Sequence, residues 1–186
     1  MKRLFYILIL LAFLPGIVEA RGLVGLVGAS AAAAGCTTAY VNTGGTGDRS
    51  GIINLTSTLV IHGTSMAGFV DGTPASGNNY FQNEAVSGLD LTWDFGFDHT
   101  AIIIAEIKWY QQDTSSHGVY QFQGSSNGSA WTSIGSTFTL GGAATQTITT
   151  MSANTTGYRY YRLLGVSGGN SATPYLYEME FKLCGY

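Results

Sequence analysis

Between residues 89 and 95 apolar and polar side chains alternate without a break. Leu89, Leu91, Trp93 and Phe95 fall on one face, Asp90, Thr92 and Asp94 on the other. A period of two with one apolar face predicts a half-buried β-strand. Residues 175–183 repeat the pattern, with Tyr175, Tyr177, Met179, Phe181 and Leu183 expected inward and Glu178, Glu180 and Lys182 opposite. Residues 101–110 begin apolar on both faces and end alternating, which predicts a central strand. Residues 119–123 place Tyr120 and Phe122 inward, and 52–61, 137–140, 146–150 and 158–166 complete about eight strands. The gaps between them are turn-like: Asn127-Gly128, Gly141-Gly142, Asn154 to Gly157, Ser167 to Asn170. No stretch after Cys36 sustains a helical period. Many short strands at steady spacing predict an all-β fold, an antiparallel β-sandwich or jelly roll.

The N-terminus reads differently. Lys2 and Arg3 precede an unbroken apolar run from Leu4 to Leu14, then Pro15-Gly16, then Val18-Glu19-Ala20. That is the pattern of a secretory signal peptide over residues 1–20, with an uncleaved membrane anchor as the alternative. The run is short for a bilayer span, which needs about 20 residues, so no stable membrane insertion is expected after cleavage. Residues 21–35 are rich in Gly, Ala and Val without a clear period and read as a flexible arm. Residues 36–186 suit a single domain with a real core. Charged residues are 10% of the chain, well below the usual quarter or so. The net charge of −3 and the absence of a basic patch argue against nucleic acid as a partner. Such a surface, solvated by hydroxyls and amides, fits an extracellular setting: secreted, on a cell surface, periplasmic or on a virion.

Cys36 and Cys184 are the two cysteines. In an exported chain an even pair invites one disulfide, here closing nearly the whole domain, a loop length associated with about 4–5 kcal/mol in the chain-entropy account. The alternative is lipidation at Cys36, since Ala33-Ala34-Gly35-Cys36 loosely resembles a lipobox; the apolar run ends far upstream of it, and lipidation leaves Cys184 without a partner.

Four segments in order match one pattern: "FVDGT" (residues 69–73), "LDLTWDFG" (89–96), "YQFQGSSNGSAWTSIG" (120–135), and "YRYYRLLGVSGG" followed by "LYEMEF" near the end. Over roughly residues 36–184 the chain resembles the discoidin, or coagulation-factor type C, domains and their bacterial relatives, the family-32 carbohydrate-binding modules. The resemblance implies a discoidin-like jelly roll of about eight strands, a disulfide joining first and last strands, and ligand binding through loops at one end.

It also implies sites. Many relatives hold a structural Ca²⁺ in the Asp-Gly loop, closed by a Glu of the last strand. Here that set is Phe69, Asp71, Thr73, Ser76 and Glu178, and oxygen donors of this kind suit a hard cation. The alternative is that Asp71-Gly72 is a plain turn and Glu178 a solvated strand residue. Sugar contacts are implied in "SGNNYFQN" and "YQQDTSSHG": Tyr80 and Phe81 as aromatic faces, Asn79, Gln111, Gln112 and His117 as polar contacts. Relatives that bind galactose place an Arg where this chain has Gln111-Gln112, and a Trp common after the Asp-Gly turn is missing. The alternative is that Tyr80 and Phe81 pack and His117 is an ordinary loop residue. Trp93 and Trp109 read as core and Trp131 as packing; Arg159 and Arg162 read as cross-strand pairing.

Catalytic patterns are sparse. No cysteine–histidine metal spacing, nucleophile elbow or phosphate loop is present. Glu178 and Glu180 share a strand face, as alternation alone produces. The expected function is a non-enzymatic binding module for a glycan or another surface polymer. The alternatives are a structural or virion-decorating protein docked through the arm into a larger assembly and, after it, a small enzyme or enzyme accessory.

Overall fold

The computed structural model describes residues 38–186, apart from 64 and 97. The expected leader 1–20, the arm 21–35 and Cys36 lie outside the described residues. Among the described residues no helix is long and apolar enough to cross a membrane.

The described chain is an antiparallel sandwich. One sheet has the order β1 (Ala39–Tyr40), β12 (Leu176–Cys184), β6 (Ile103–Gln111), β10 (Thr145–Ile148). The other has the order β2 (Asn54–Ser57), β5 (Asp90–Asp94), β11 (Tyr160–Ser167), β7 (Ser116–Ser125), β8 (Thr132–Ser133), and β9 (Phe138–Gly141) also pairs with β7. A ribbon of β3 (Ile61–His62) and β4 (Tyr80–Phe81) stands apart. The sheets meet through aromatic side chains. Trp93 of β5 lies edge-on to Phe181 of β12, ring centroids 5.6 Å apart, and Phe95 approaches the same ring at 5.5 Å. All three are essentially fully buried, and burial of each such side chain stabilises by about 1.5–3 kcal/mol.

The alternation in β5 places Leu91 and Trp93 in the core, with Asp90, Thr92 and Asp94 half-buried on the outer face. β6 lies between β12 and β10, and its first three residues are all buried, as a central strand requires. Tyr120 and Phe122 point inward. On the outer face Arg159 pairs with both carboxylate oxygens of Asp94 at 2.7 Å, and Arg162 reaches Asp90 at 3.0 Å while lying 4.2 Å over the half-buried Trp131 ring. These partly exposed pairs contribute little, about 0–1 kcal/mol each.

Two expectations differ. Residues 52–61 form two strands in separate sheets, β2 and β3, because the chain bends out of one sheet at residues 58–60. In β12 the pairing with β6 shifts between Leu176 and Glu178. This bulge adds one residue and reverses the facing beyond it. Tyr175, expected inside, is 42% exposed, and Glu178, expected on the polar face, is buried beside Met179.

The two ends of the domain meet. Ala39 pairs with Leu183 and Tyr40 with Lys182. Cys184 is buried at the end of β12 and is not a free thiol.

Candidate functional site

Two places bring together residues singled out in the sequence. The first is a buried polar clamp. Glu178 is fully buried and ion-paired to the equally buried Arg49 through Oε1. Its Oε2 accepts from the backbone N–H of Gly72 at 2.7 Å and of Thr73 at 3.2 Å. Asp71 Oδ1 accepts from Thr73 N–H at 3.0 Å and from the Thr73 hydroxyl, the bonding of an Asx-turn. Phe69 is core and stacks with Trp109; Ser76 is exposed, and its N–H donates to Thr73 O at 3.3 Å. Burial pushes the Glu178 carboxyl up and the Arg49 guanidinium down, and each partner's charge opposes the other's shift.

The five residues implied for calcium do not fit a divalent cation as they stand. Both Glu178 oxygens are taken up by N–H donors, one of them a guanidinium whose charge would repel a second cation. Asp71 Oδ1 is held within its own turn. Among the described residues no group of three or more His, Cys, Asp or Glu side chains could hold a metal ion.

The second place is the end of the sandwich where β3, β4 and β12 start or stop. Its loops are tied together. Asn79 pairs with Leu176 as an isolated bridge, the Gln112 N–H donates to Tyr175 O at 2.8 Å, and the Tyr175 N–H donates to Gln112 Oε1 at 3.2 Å. The Ser115 and Thr173 hydroxyls lie 3.2 Å apart, and those of Ser171 and Thr173 are 2.7 Å apart. At the surface the exposed His62 ring stacks on Tyr80, centroids 5.2 Å apart and planes 24° apart. Tyr175 stands edge-on to Tyr80 at 6.3 Å. Beside this aromatic strip lies a cleft of about 220 Å³ lined by Ile61, Gly63, Ser65, Met66 and Asn79.

The expected sugar contacts divide sharply here. Tyr80 and Gln112 reach the surface. Phe81 is fully buried, parallel to Trp109 at 6.1 Å and edge-on to His117 at 4.9 Å, and so has no face to offer a ligand. Gln111 is buried: its Oε1 accepts from Trp109 Nε1–H at 2.7 Å, and its Nε2–H donates to the carbonyls of Asp113 and Ser115. Asn79 is buried, its Nδ2–H donating to Ser65 O at 2.9 Å. His117 is buried with Nδ1 accepting from Ser171 N–H at 3.3 Å. These four shape the loops from beneath. His62 and Tyr175 were missed in the sequence, His62 because nothing local marks it and Tyr175 because the β12 bulge inverts its expected facing.

Burial pushes the His117 pKa down from 6.5 to about 4, with the charge of Asp113 opposing. A base with a depressed folded-state pKa binds its proton better when unfolded, so stability is present above pH 6.5 and is lost as pH falls from 6.5 through 4. The amount is about 2–3 kcal/mol. Chemical denaturation at intervals over that range should show wild type losing this much more than His117→Asn; parallel curves contradict the assignment.

No family model matches the chain, and no curated protein sequence matches it. Solved structures do. The family-32 module of AlyQ, solved with 4,5-unsaturated mannuronic acid, has a TM-score of 0.51 at 21% identity, covering 70% of this chain and 94% of its own. The fold is that of the family-32 carbohydrate-binding modules. The module of Clostridium perfringens NanJ, solved with galactose, matches with a TM-score of 0.52 at 12% identity over 73% of this chain and 97% of its own. A further family-32 module from C. perfringens, solved with GalNAc-β-1,3-galactose, has a TM-score of 0.51 at 14% identity over 73% and 99%.

A second cleft, about 250 Å³, lies at the opposite end, where Tyr158 meets Ile102 just before β6. Threonines 132, 150, 155 and 156 line it with Asn154 and Tyr158. It has no stacked pair of rings, and the aromatic strip is the better candidate for a ligand.

Proposed function

We propose that the chain is an exported, non-catalytic carbohydrate-binding module whose ligand lies on the His62–Tyr80–Tyr175 strip. The observation that carries this reading is a strip of aromatic rings at the surface, mounted on loops that buried side chains hold rigidly, beside a cleft with amide and hydroxyl edges. A pyranose presents C–H groups on one face and hydroxyls at its rim. Tyr80 and Tyr175 answer the first, and Gln112, Thr173 and Ser115 the second. The fold shared with modules solved with galactose, GalNAc-β-1,3-galactose and an unsaturated mannuronic acid supports a sugar as ligand. A shallow open site implies weak single-site affinity that repeated presentation of the ligand strengthens.

Export rests on residues 1–20 as a cleaved leader, and on a Cys36–Cys184 bridge locking the ends of the domain. The pairing of Ala39 with Leu183 supports the bridge, because it brings the chain shortly after Cys36 alongside the residue before Cys184.

The test starts from exported protein. Its intact mass should show the leader removed and no free thiol before reduction. A glycan array should then give binding that falls about tenfold in Tyr80→Ala and in Tyr175→Ala, about 1.4 kcal/mol each, with unchanged unfolding curves. Two free thiols contradict the bridge. Binding unaltered by both substitutions contradicts the assigned strip, and no binding to any glycan contradicts the function.

A further inference from the structure

One heavily bonded, buried charge is singled out neither by the alternation of the strands nor by the resemblance. Arg49 is 0% exposed, in a protein where most charge stays on the surface. Its Nε–H donates to Gly47 O at 2.9 Å and its Nη1–H to Gly45 O at 2.9 Å. Its Nη2 donates both to Met179 O at 2.8 Å and to Glu178 Oε1. Four of the five N–H groups of the guanidinium thus meet three backbone carbonyls and one carboxylate. Oxygens of this kind, converging from separate segments on one positive centre, are what a hard metal ion collects around itself.

The segments joined are also those a metal would join. Glu178 passes the clamp on through Oε2, which takes the N–H groups of Gly72 and Thr73. The Arg49 backbone N–H donates to Val70 O at 2.7 Å. Gly72 has φ +80°, and a Cβ there would lie 2.7 Å from Gly47 C, so the two loops are in direct contact at a position that only glycine fits. The guanidinium further lies 5.5 Å from the Phe181 ring centroid, over the aromatic junction of the two sheets. Gly45 O accepts from Phe181 N–H at 2.8 Å as well, which fixes the first loop to β12.

We propose that the Arg49 guanidinium is the structural cation of this domain, tying residues 45–49, the Asp71–Thr73 turn and β12 together in the place where the resemblance implies a divalent metal, so that the fold does not depend on calcium. A guanidinium keeps its charge at any accessible pH and cannot be chelated away. The device therefore holds in calcium-poor surroundings, where a metal-closed loop loosens. It is independent of whether the aromatic strip binds sugar.

The experiment is thermal unfolding of the purified protein in excess EDTA and in millimolar calcium, with calcium titrated into the EDTA-stripped protein by calorimetry. The expected result is a Tm equal in the two buffers to within about 1 °C, with no binding heat, against a loss of about 10 °C in Arg49→Met and a smaller loss in Arg49→Lys, which keeps the charge but not the fork. The wild-type comparison stands even where Arg49→Met fails to fold. Calcium raising the wild-type Tm by several degrees, stoichiometric calcium binding, or Arg49→Met melting like wild type would each overturn the proposal.

Discussion

Glu178→Gln unfolds with about 3–5 kcal/mol less stability than wild type, while Asp71→Asn loses no more than about 1 kcal/mol. The asymmetry follows from what each carboxylate faces. Among the described residues Glu178 is the carboxylate bonded to the buried Arg49 guanidinium, and removing one partner of a buried ion pair leaves the other charge uncompensated where water cannot reach it. Glutamine preserves the shape and one acceptor, so the loss isolates the charge. The Asp71 oxygen, by contrast, serves Thr73 within a local turn, and an asparagine makes the same turn. Were the two carboxylates co-ligands of one metal, both substitutions would open the same site and cost alike. Urea denaturation at neutral pH separates the cases, and equal losses for the two variants would count against the ion-pair account.

Trp109→Ala is the second large effect, again about 3–5 kcal/mol, and it should weaken ligand binding although Trp109 is fully buried. The indole fills the space between Phe69 and Phe81, with centroids 6.0 and 6.1 Å away. Its Nε1–H is also the donor that fixes Gln111 Oε1, and the other end of that amide holds the carbonyls of Asp113 and Ser115. Deleting the indole thus opens a cavity and releases the loop that carries Gln112 and, through it, Tyr175. Trp109→Phe refills most of the volume but leaves the Gln111 acceptor without its donor, and should cost about 1–2 kcal/mol. Paired unfolding and glycan-binding measurements check this. A Trp109→Ala protein with wild-type affinity would show that the loop stands without its support.

What the sequence discloses and what it hides have separate physical origins. All the long strands were legible because one face of each is buried, and burial writes a period of two into the residues. The two-residue strands β1, β3, β4 and β8 are too short to show any period. The facing of Tyr175 and Glu178 was misjudged because a bulge inserts one residue, and alternation carries no mark of where it will be interrupted. At the proposed ligand end, residue type alone could not separate a tyrosine at the surface from a phenylalanine next to it in the core. Nor could it show that Gln111 is consumed by Trp109 while Gln112, one position on, reaches solvent. Arg49 was invisible for a related reason: a lone arginine in a Gly- and Thr-rich loop reads as a solvated charge until the chain brings Glu178, distant in sequence, against it.

The most direct test of the account is residue-resolved NMR of the ¹⁵N-labelled protein titrated with galactose and with an alginate-derived oligosaccharide. The account predicts that at least one of them shifts the amides of His62, Tyr80, Gln112 and Tyr175 progressively, and leaves those around the Thr132–Tyr158 cleft unmoved. Shifts confined to that opposite cleft, or no shift with either sugar, would contradict it.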